Sequence, residues 1–152
     1  MSELTTGRTP FSTEDSRFAR CEPGAILSRV RQPATWPAWQ SEIVATEGPH
    51  EVSAGDVVKG RALMMGFDVD GQSIVASDDG SLVIENVVVG VGMQVRYEVV
   101  PEGTGSRVTH TFTSNLPAGA LGSVLSFFLR RRFKKMQRTL LKRLVDQAEA
   151  SA

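Results

Sequence analysis

The sequence predicts a single α+β domain in which a meandering antiparallel sheet is followed by one long C-terminal helix. Three observations predict it. Between residues 41 and 116 the apolar residues recur with period two, interrupted by Gly, Asp, Asn and Pro clusters, as in a run of hairpin-linked strands. From residue 118 to 150 the period changes: Leu125, Leu129, Phe133, Met136, Leu140 and Leu144 step by three or four, one stripe of a helix with about 3.6 residues per turn. Finally, 152 residues with 41% hydrophobic content is the size and composition of one domain, long enough to hold a core without disulfides or a structural metal.

The elements follow in chain order. Residues 1–13, rich in Thr, Ser, Gly and Pro, have no usable periodicity and are read as a mobile N-terminal segment, with the folded domain covering residues 14–152. A first strand is predicted near 14–20, with Phe18 inward. Cys21-Glu22-Pro23-Gly24 then turns the chain into a short helix over 25–30. Pro33 and Pro37 push the residues before them out of the helical region, so two short helical turns are expected rather than one long helix. Six further strands are predicted near 41–48, 56–65, 68–77, 81–89, 91–101 and 105–115. Asp79-Gly80 and the Glu102-Gly103 region supply the turn chemistry that tight hairpins need. Asn115 and Pro117 mark the start of the final helix, which at about 1.5 Å per residue is roughly 45–50 Å long, enough to cross a whole sheet.

Formal neutrality hides a division. Residues 118–152 hold eight of the 17 Lys/Arg and two of the 17 Asp/Glu, leaving nine basic against fifteen acidic residues in the rest of the chain. Arg130, Arg131, Lys134, Lys135, Arg138 and Lys142 occupy much of the helix face opposite the apolar stripe. Whole-chain neutrality argues against nonspecific nucleic-acid binding. Two readings of the basic face stand: a solvated surface, which is preferred, or docking on an anionic membrane or an acidic partner. The single cysteine, Cys21, excludes an intrachain disulfide, and with two histidines it leaves too few soft ligands for a Cys/His zinc site. The strongly apolar run 121–129 is far short of the ~20 residues that span a bilayer, and the N-terminus has no signal-peptide core, so a cytoplasmic protein is expected.

With Thr35-Trp36-Pro37-Ala38-Trp39 after the first helix, Gly103-Thr104-Gly105-Ser106-Arg107-Val108-Thr109 leading into the last strand, and a final amphipathic helix, the chain resembles the START-like, polyketide cyclase/dehydrase and lipid transport (SRPBCC) superfamily. The resemblance covers about residues 16–149. It implies a helix-grip fold, a strongly curved seven-stranded antiparallel sheet wrapped around the C-terminal helix, with two short helices after the first strand and a deep apolar cavity between sheet and helix. The family's usual acidic residue before the first Trp is replaced by Arg31-Gln32-Pro33. Because such a fold hosts binders, transporters and cyclases alike, it does not choose a chemistry.

Alternation says which side chains face such a cavity. Val58, Gly60, Ala62 and Met64 share one face of their strand, as do Leu82 and Ile84, then Met93, Val95 and Tyr97, then Val108, His110, Phe112 and Ser114. Leu125, Leu129, Phe133 and Met136 approach from the helix. The wall is almost wholly apolar, with Tyr97, His110 and Ser114 as its few polar handles, a composition suited to a small hydrophobic or amphipathic ligand. His110 and Tyr97 are also the weak candidates for acid/base catalysis, with Tyr97 fixing the second ring nitrogen of His110; a hydrogen-bonded wall histidine is the preferred reading. Trp36 and Trp39 are read as packing rather than as a ligand gate. No Gly-x-Ser-x-Gly elbow accompanies Ser114, Gly90-Val91-Gly92 is too short for a dinucleotide fingerprint, and Asp68-x-Asp70 and Asp78-Asp79 read as turn chemistry rather than metal ligands. The expected function is therefore binding of a lipid- or polyketide-like molecule, with no cofactor and no metal. The alternatives are a cyclase or dehydratase using His110 and Tyr97, or a regulatory protein that binds a partner through its basic helix.

Overall fold

The computed structural model describes the backbone of residues 8–64, 67–77, 81–88, 91–117 and 120–151, and the side chains of 12–63, 67–76, 82–85, 93–114 and 130–151. The elements run β1 (Arg8–Ala19), α1 (Pro23–Val30), a 3-10 turn (Pro33–Thr35), α2 (Trp36–Trp39), β2 (Ile43–Glu47), β3 (Val57–Met64), β4 (Phe67–Ser77), β5 (Ser81–Val88), β6 (Val91–Glu102), β7 (Gly105–Pro117) and α3 (Ala120–Ser151). All seven strands form one antiparallel sheet in the order β1-β7-β6-β5-β4-β3-β2. The first two strands in sequence therefore lie at opposite edges, and the proline-punctuated helices between them bridge the two. This is the helix-grip architecture that the family resemblance implies.

Local chemistry explains the joints. The β6–β7 hairpin turns through Gly103 and Thr104 between the paired residues Glu102 and Gly105, and Gly103 has φ of 58°, a value that costs glycine nothing. Pro23 and Pro37 stand in the first turns of α1 and α2, where the missing N–H is not needed. β1 begins at Arg8, six residues before the predicted start, and pairs with β7 from Arg8 opposite Pro117 to Ala19 opposite Ser106.

α1 buries Ile26 and Val30, one turn apart, and Trp36 and Trp39 are 3% and 0% exposed. The Trp36 indole N–H donates to the Val30 carbonyl at 2.9 Å, and that of Trp39 to the Thr35 hydroxyl at 3.2 Å, so both rings are buried with their polar edge satisfied. They close one end of the grip together with Leu82, Tyr97, Val99 and Val108. The helix α3 packs most closely on β1, β7, α1 and α2, burying Leu140, Leu141, Leu144, Val145 and Ala148.

Polar bonds fix the same helix to the edge strand. Arg130 Nη1 donates to the Ser12 carbonyl at 3.1 Å, Gln137 Nε2 to the Thr13 carbonyl at 3.0 Å and Lys134 Nζ to the Glu14 carbonyl at 2.6 Å. At its far end the Glu149 carboxylate accepts from the Arg20 N–H at 2.9 Å, and Gln147 Nε2 donates to the Ala38 carbonyl at 2.9 Å. Part of the basic face predicted to be solvated thus caps carbonyls of an edge strand that would otherwise offer a pairing template. Among the described residues no helix is long and apolar enough to cross a membrane.

The stripe carries the packing. Leu144→Ala should lower unfolding free energy by about 2–5 kcal/mol, whereas Arg131→Ala, on the exposed face, should change it by less than about 0.5 kcal/mol. Urea denaturation of both variants checks this, and equal small effects would place the stripe away from the core.

Candidate ligand cavity

A cavity of about 160 Å³ lies between the sheet and the middle of α3. It exists because α3 follows β1 and β7, while β2, β3 and β4 at the other edge curve past the helix without close packing. Its buried wall is Val58 on β3, Val95 on β6, His110 and Phe112 on β7, and Leu140 on α3; Ala62, Met93, Phe133 and Met136 complete it, half-buried. Phe112 and Phe133 stack with ring centroids 4.5 Å apart and planes 19° off parallel, joining strand and helix across it. Gln40, Glu42, Thr46 and Ser73 add half-buried polar groups, and Arg61, Leu63 and Gln72 are exposed at its rim. A separate open groove of about 750 Å³ is lined by the other face of β2, β3 and β4, where Ala45, Arg61 and Asp70, and Glu47, Lys59 and Gln72, stand in register. Gly60 and Gly71 face each other across the β3–β4 pair, which keeps this part of the wall free of side chains.

Of the residues predicted to line a cavity, Val58, Gly60, Ala62, Met93, Val95, His110, Phe112, Phe133 and Met136 are brought together around this one. Met64, Leu125 and Leu129 lie outside the residues whose side chains are described. Leu82, Ile84, Tyr97, Val108 and Ser114 are corrected: none stands on the described cavity wall. They face inward as alternation predicts, but Leu82, Tyr97 and Val108 sit at the end of the grip that α1 and α2 close, where the Trp39 ring meets Tyr97 edge-on at 5.9 Å. Ile84, opposite Val95, is buried in the same core cluster, and Ser114, opposite Met93, is buried as well. Along β6 and β7 the change from filled core to cavity falls at the Tyr97–His110 pair.

His110 is the polar group at that boundary. It is 2% exposed, meets the Tyr97 ring edge-on at 5.0 Å, and its Nδ1 lies 2.9 Å from Gln137 Nε2. The predicted support of His110 by the Tyr97 hydroxyl is therefore replaced: Tyr97 supplies a ring contact, and Gln137 supplies the hydrogen bond. Gln137 was not singled out in the sequence, although its position four after Phe133 and three before Leu140 places a polar residue on the apolar stripe, the signal of a buried hydrogen-bonding role. It is fully buried; its Oε1 and the buried Thr13 hydroxyl have no hydrogen-bond partner among the described residues.

Burial lowers the His110 pKa to about 4, against a smaller opposing pull from the Asp15 carboxylate. Burial also pushes the Tyr97 phenol far above its ordinary value, aided by the Glu42 carboxylate. Both are neutral at pH 7. His50 is exposed, Asp68 pairs with Arg61 at 3.3 Å on the surface, and Asp78 and Asp79 lie outside the described residues.

A curved antiparallel sheet gripping a helix around an apolar cavity with one buried imidazole defines a helix-grip protein of the START-like class. The chain belongs to the polyketide cyclase / dehydrase and lipid transport family, whose profile matches residues 10–149. Solved structures share the fold: the Zhui aromatase/cyclase from a Streptomyces species is 12% identical with TM-score 0.76, over 93% of this chain and 94% of that one. A START superfamily protein from Mycobacterium smegmatis is 14% identical with TM-score 0.70, over 90% and 97%. A Thermus thermophilus protein is 17% identical with TM-score 0.74, over 93% and 99%. No curated protein sequence matches the chain.

The buried imidazole makes stability depend on pH. Above pH 6.5 both the folded and the unfolded chain hold it neutral and its contribution is complete; from 6.5 down to about 4 only the unfolded chain takes up the proton, so stability falls as pH falls. Between pH 7 and 4.5 wild type should lose about 2 kcal/mol more than His110→Leu in urea denaturation. Parallel losses in the two proteins would show that His110 titrates normally.

Proposed function

We propose that this protein binds a small amphipathic molecule, lipid- or polyketide-like, that occupies the cavity between the sheet and α3. The observation that carries the reading is the wall itself: apolar side chains from β3, β6 and β7 of one sheet and from α3 leave a gap that the protein does not fill, with one buried polar group on its floor. Protein interiors are close-packed, and a gap of this size costs stability unless something occupies it. At about 160 Å³ the cavity takes one or two rings or a short chain; an apolar cavity of about 150 Å³ is enough for benzene.

The family description names cyclases and dehydrases beside lipid transport. An acid/base pair of His110 and Tyr97 finds less support, because Tyr97 is packed beneath Trp39 away from the cavity wall and no hydrogen bond joins the two among the described residues. Binding is the reading the geometry supports best.

Titration with 2-naphthol, followed by calorimetry, tests it. Wild type should bind, and Ala62→Phe, which places a ring in the cavity, should weaken binding tenfold or more, about 1.4 kcal/mol, with little change in stability. Gly60 is a poor site for this test because a Cβ there would stand 3.2 Å from the Ala45 carbonyl oxygen and disturb the β2–β3 pairing. Unchanged affinity in both Ala62→Phe and Met136→Trp would put the site elsewhere.

A further inference from the structure

We infer that Gln137 locks the His110 imidazole in its Nε2–H tautomer, so that the cavity floor presents a fixed hydrogen-bond donor selecting ligands with a carbonyl or ether oxygen at their inner end. The inference deepens the binding reading above and rests on it for the ligand.

The lock follows from the donors and acceptors around one amide. Gln137 Nε2 lies 3.0 Å from the Thr13 carbonyl oxygen, 3.2 Å from the His110 carbonyl oxygen and 2.9 Å from His110 Nδ1. The two carbonyls accept and never donate, so the nitrogen end of the amide must face them; turning the group over would set Oε1 against both oxygens. The amide nitrogen shares two hydrogens among three acceptors and has no lone pair to offer, so an Nδ1–H facing it would have no acceptor; Nδ1 therefore meets it with its own lone pair. A neutral imidazole with a bare Nδ1 carries its proton on Nε2.

The free nitrogen borders the cavity. Among the described residues Nε2 has no hydrogen-bond partner, yet it is not one of the buried atoms sealed off without one, which are Thr13 Oγ1, Arg29 Nε and Gln137 Oε1. The open space that His110 borders is the cavity. Around it stand Val95 and Phe112, so a ligand oxygen placed there gains a hydrogen bond in surroundings that offer few others. A ligand N–H gains nothing, because it would meet a donor. For the same reason Nε2 cannot take a proton from a substrate while the lock holds. Gln137 is thus a positioning residue acting through His110.

Two isosteric probe pairs read the donor directly. Wild type should bind acetophenone about three- to tenfold more tightly than α-methylstyrene, and should not distinguish indole from indene. In Gln137→Met the ring is free to present a bare Nε2, and indole should then be favoured over indene by at least about threefold. In His110→Phe both ratios should fall to about one. With only two histidines in the chain, ring-nitrogen NMR shifts of His50→Gln protein report His110 alone: Nε2 should be pyrrole-like and Nδ1 pyridine-like at neutral pH. This measurement decides the tautomer even where Gln137→Met does not fold. A protonated Nδ1, or a wild-type preference for indole over indene, overturns the inference. Binding of both hydrocarbons with an acetophenone ratio of one overturns the donor alone, whereas failure of all four probes to bind overturns the cavity reading beneath it.

Discussion

One buried amide holds the parts of this molecule in register. The Nε2 of Gln137 shares its two hydrogens among a carbonyl of β1, a carbonyl of β7 and a ring nitrogen on β7, all within 3.2 Å. β1 and β7 are the first and last strands of the chain, paired along their whole length, and α3 is the last helix. A polar group this deep is stabilising only when its donors are used, so the depth and rotation of α3 on the sheet are fixed by where those three acceptors stand. Apolar packing alone would leave the helix freer to slide, since the hydrophobic contribution has no direction.

The placement of α3 over β1 and β7 also decides where empty space remains. A seven-stranded sheet is wider than one helix, and here the helix lies toward one edge while α1 and α2 seal one end with two tryptophans. The remaining region under β3 and β4 receives Val58, Ala62 and two glycines from the sheet, small residues that share the cavity wall with Phe133 and Met136 on the helix. Cavity and helix position are thus two consequences of one arrangement. His110 stands where the filled end meets the open one, which is why a residue on a core strand can be both deeply buried and beside a ligand-sized space.

The basic face of α3 has a structural share in the same arrangement. Arg130 and Lys134 reach back to carbonyls of the edge strand on either side of the one held by Gln137, so three successive carbonyls of β1 are bonded to the helix. Exposed ion pairs contribute little to stability, and the Lys142–Asp146 pair one turn apart at 3.0 Å belongs to that class. The bonds to β1 differ because they shield an edge, a matter of which partners the sheet can accept as much as of free energy.

The sequence by itself determined the elements and their inward faces. Alternation across β3 to β7 and the three-to-four spacing in α3 report which side chains avoid water, a local property that each segment carries on its own, and the prolines at 33 and 37 and the glycine at 103 report backbone geometry just as locally. Val58, Ala62, Val95, Phe112, Phe133 and Met136 were legible as wall residues for that reason. Period two says inward, however, and does not say how far along the strand the interior is filled; Tyr97 and Val108 share their faces with Val95 and His110 and lie in solid core because α1 and α2 happen to cover that end. The partner of His110 was likewise decided only by the tertiary structure. Gln137 and His110 are 27 residues apart on elements of different period, and a hydrogen bond needs a distance and a direction that exist only once helix and sheet have met.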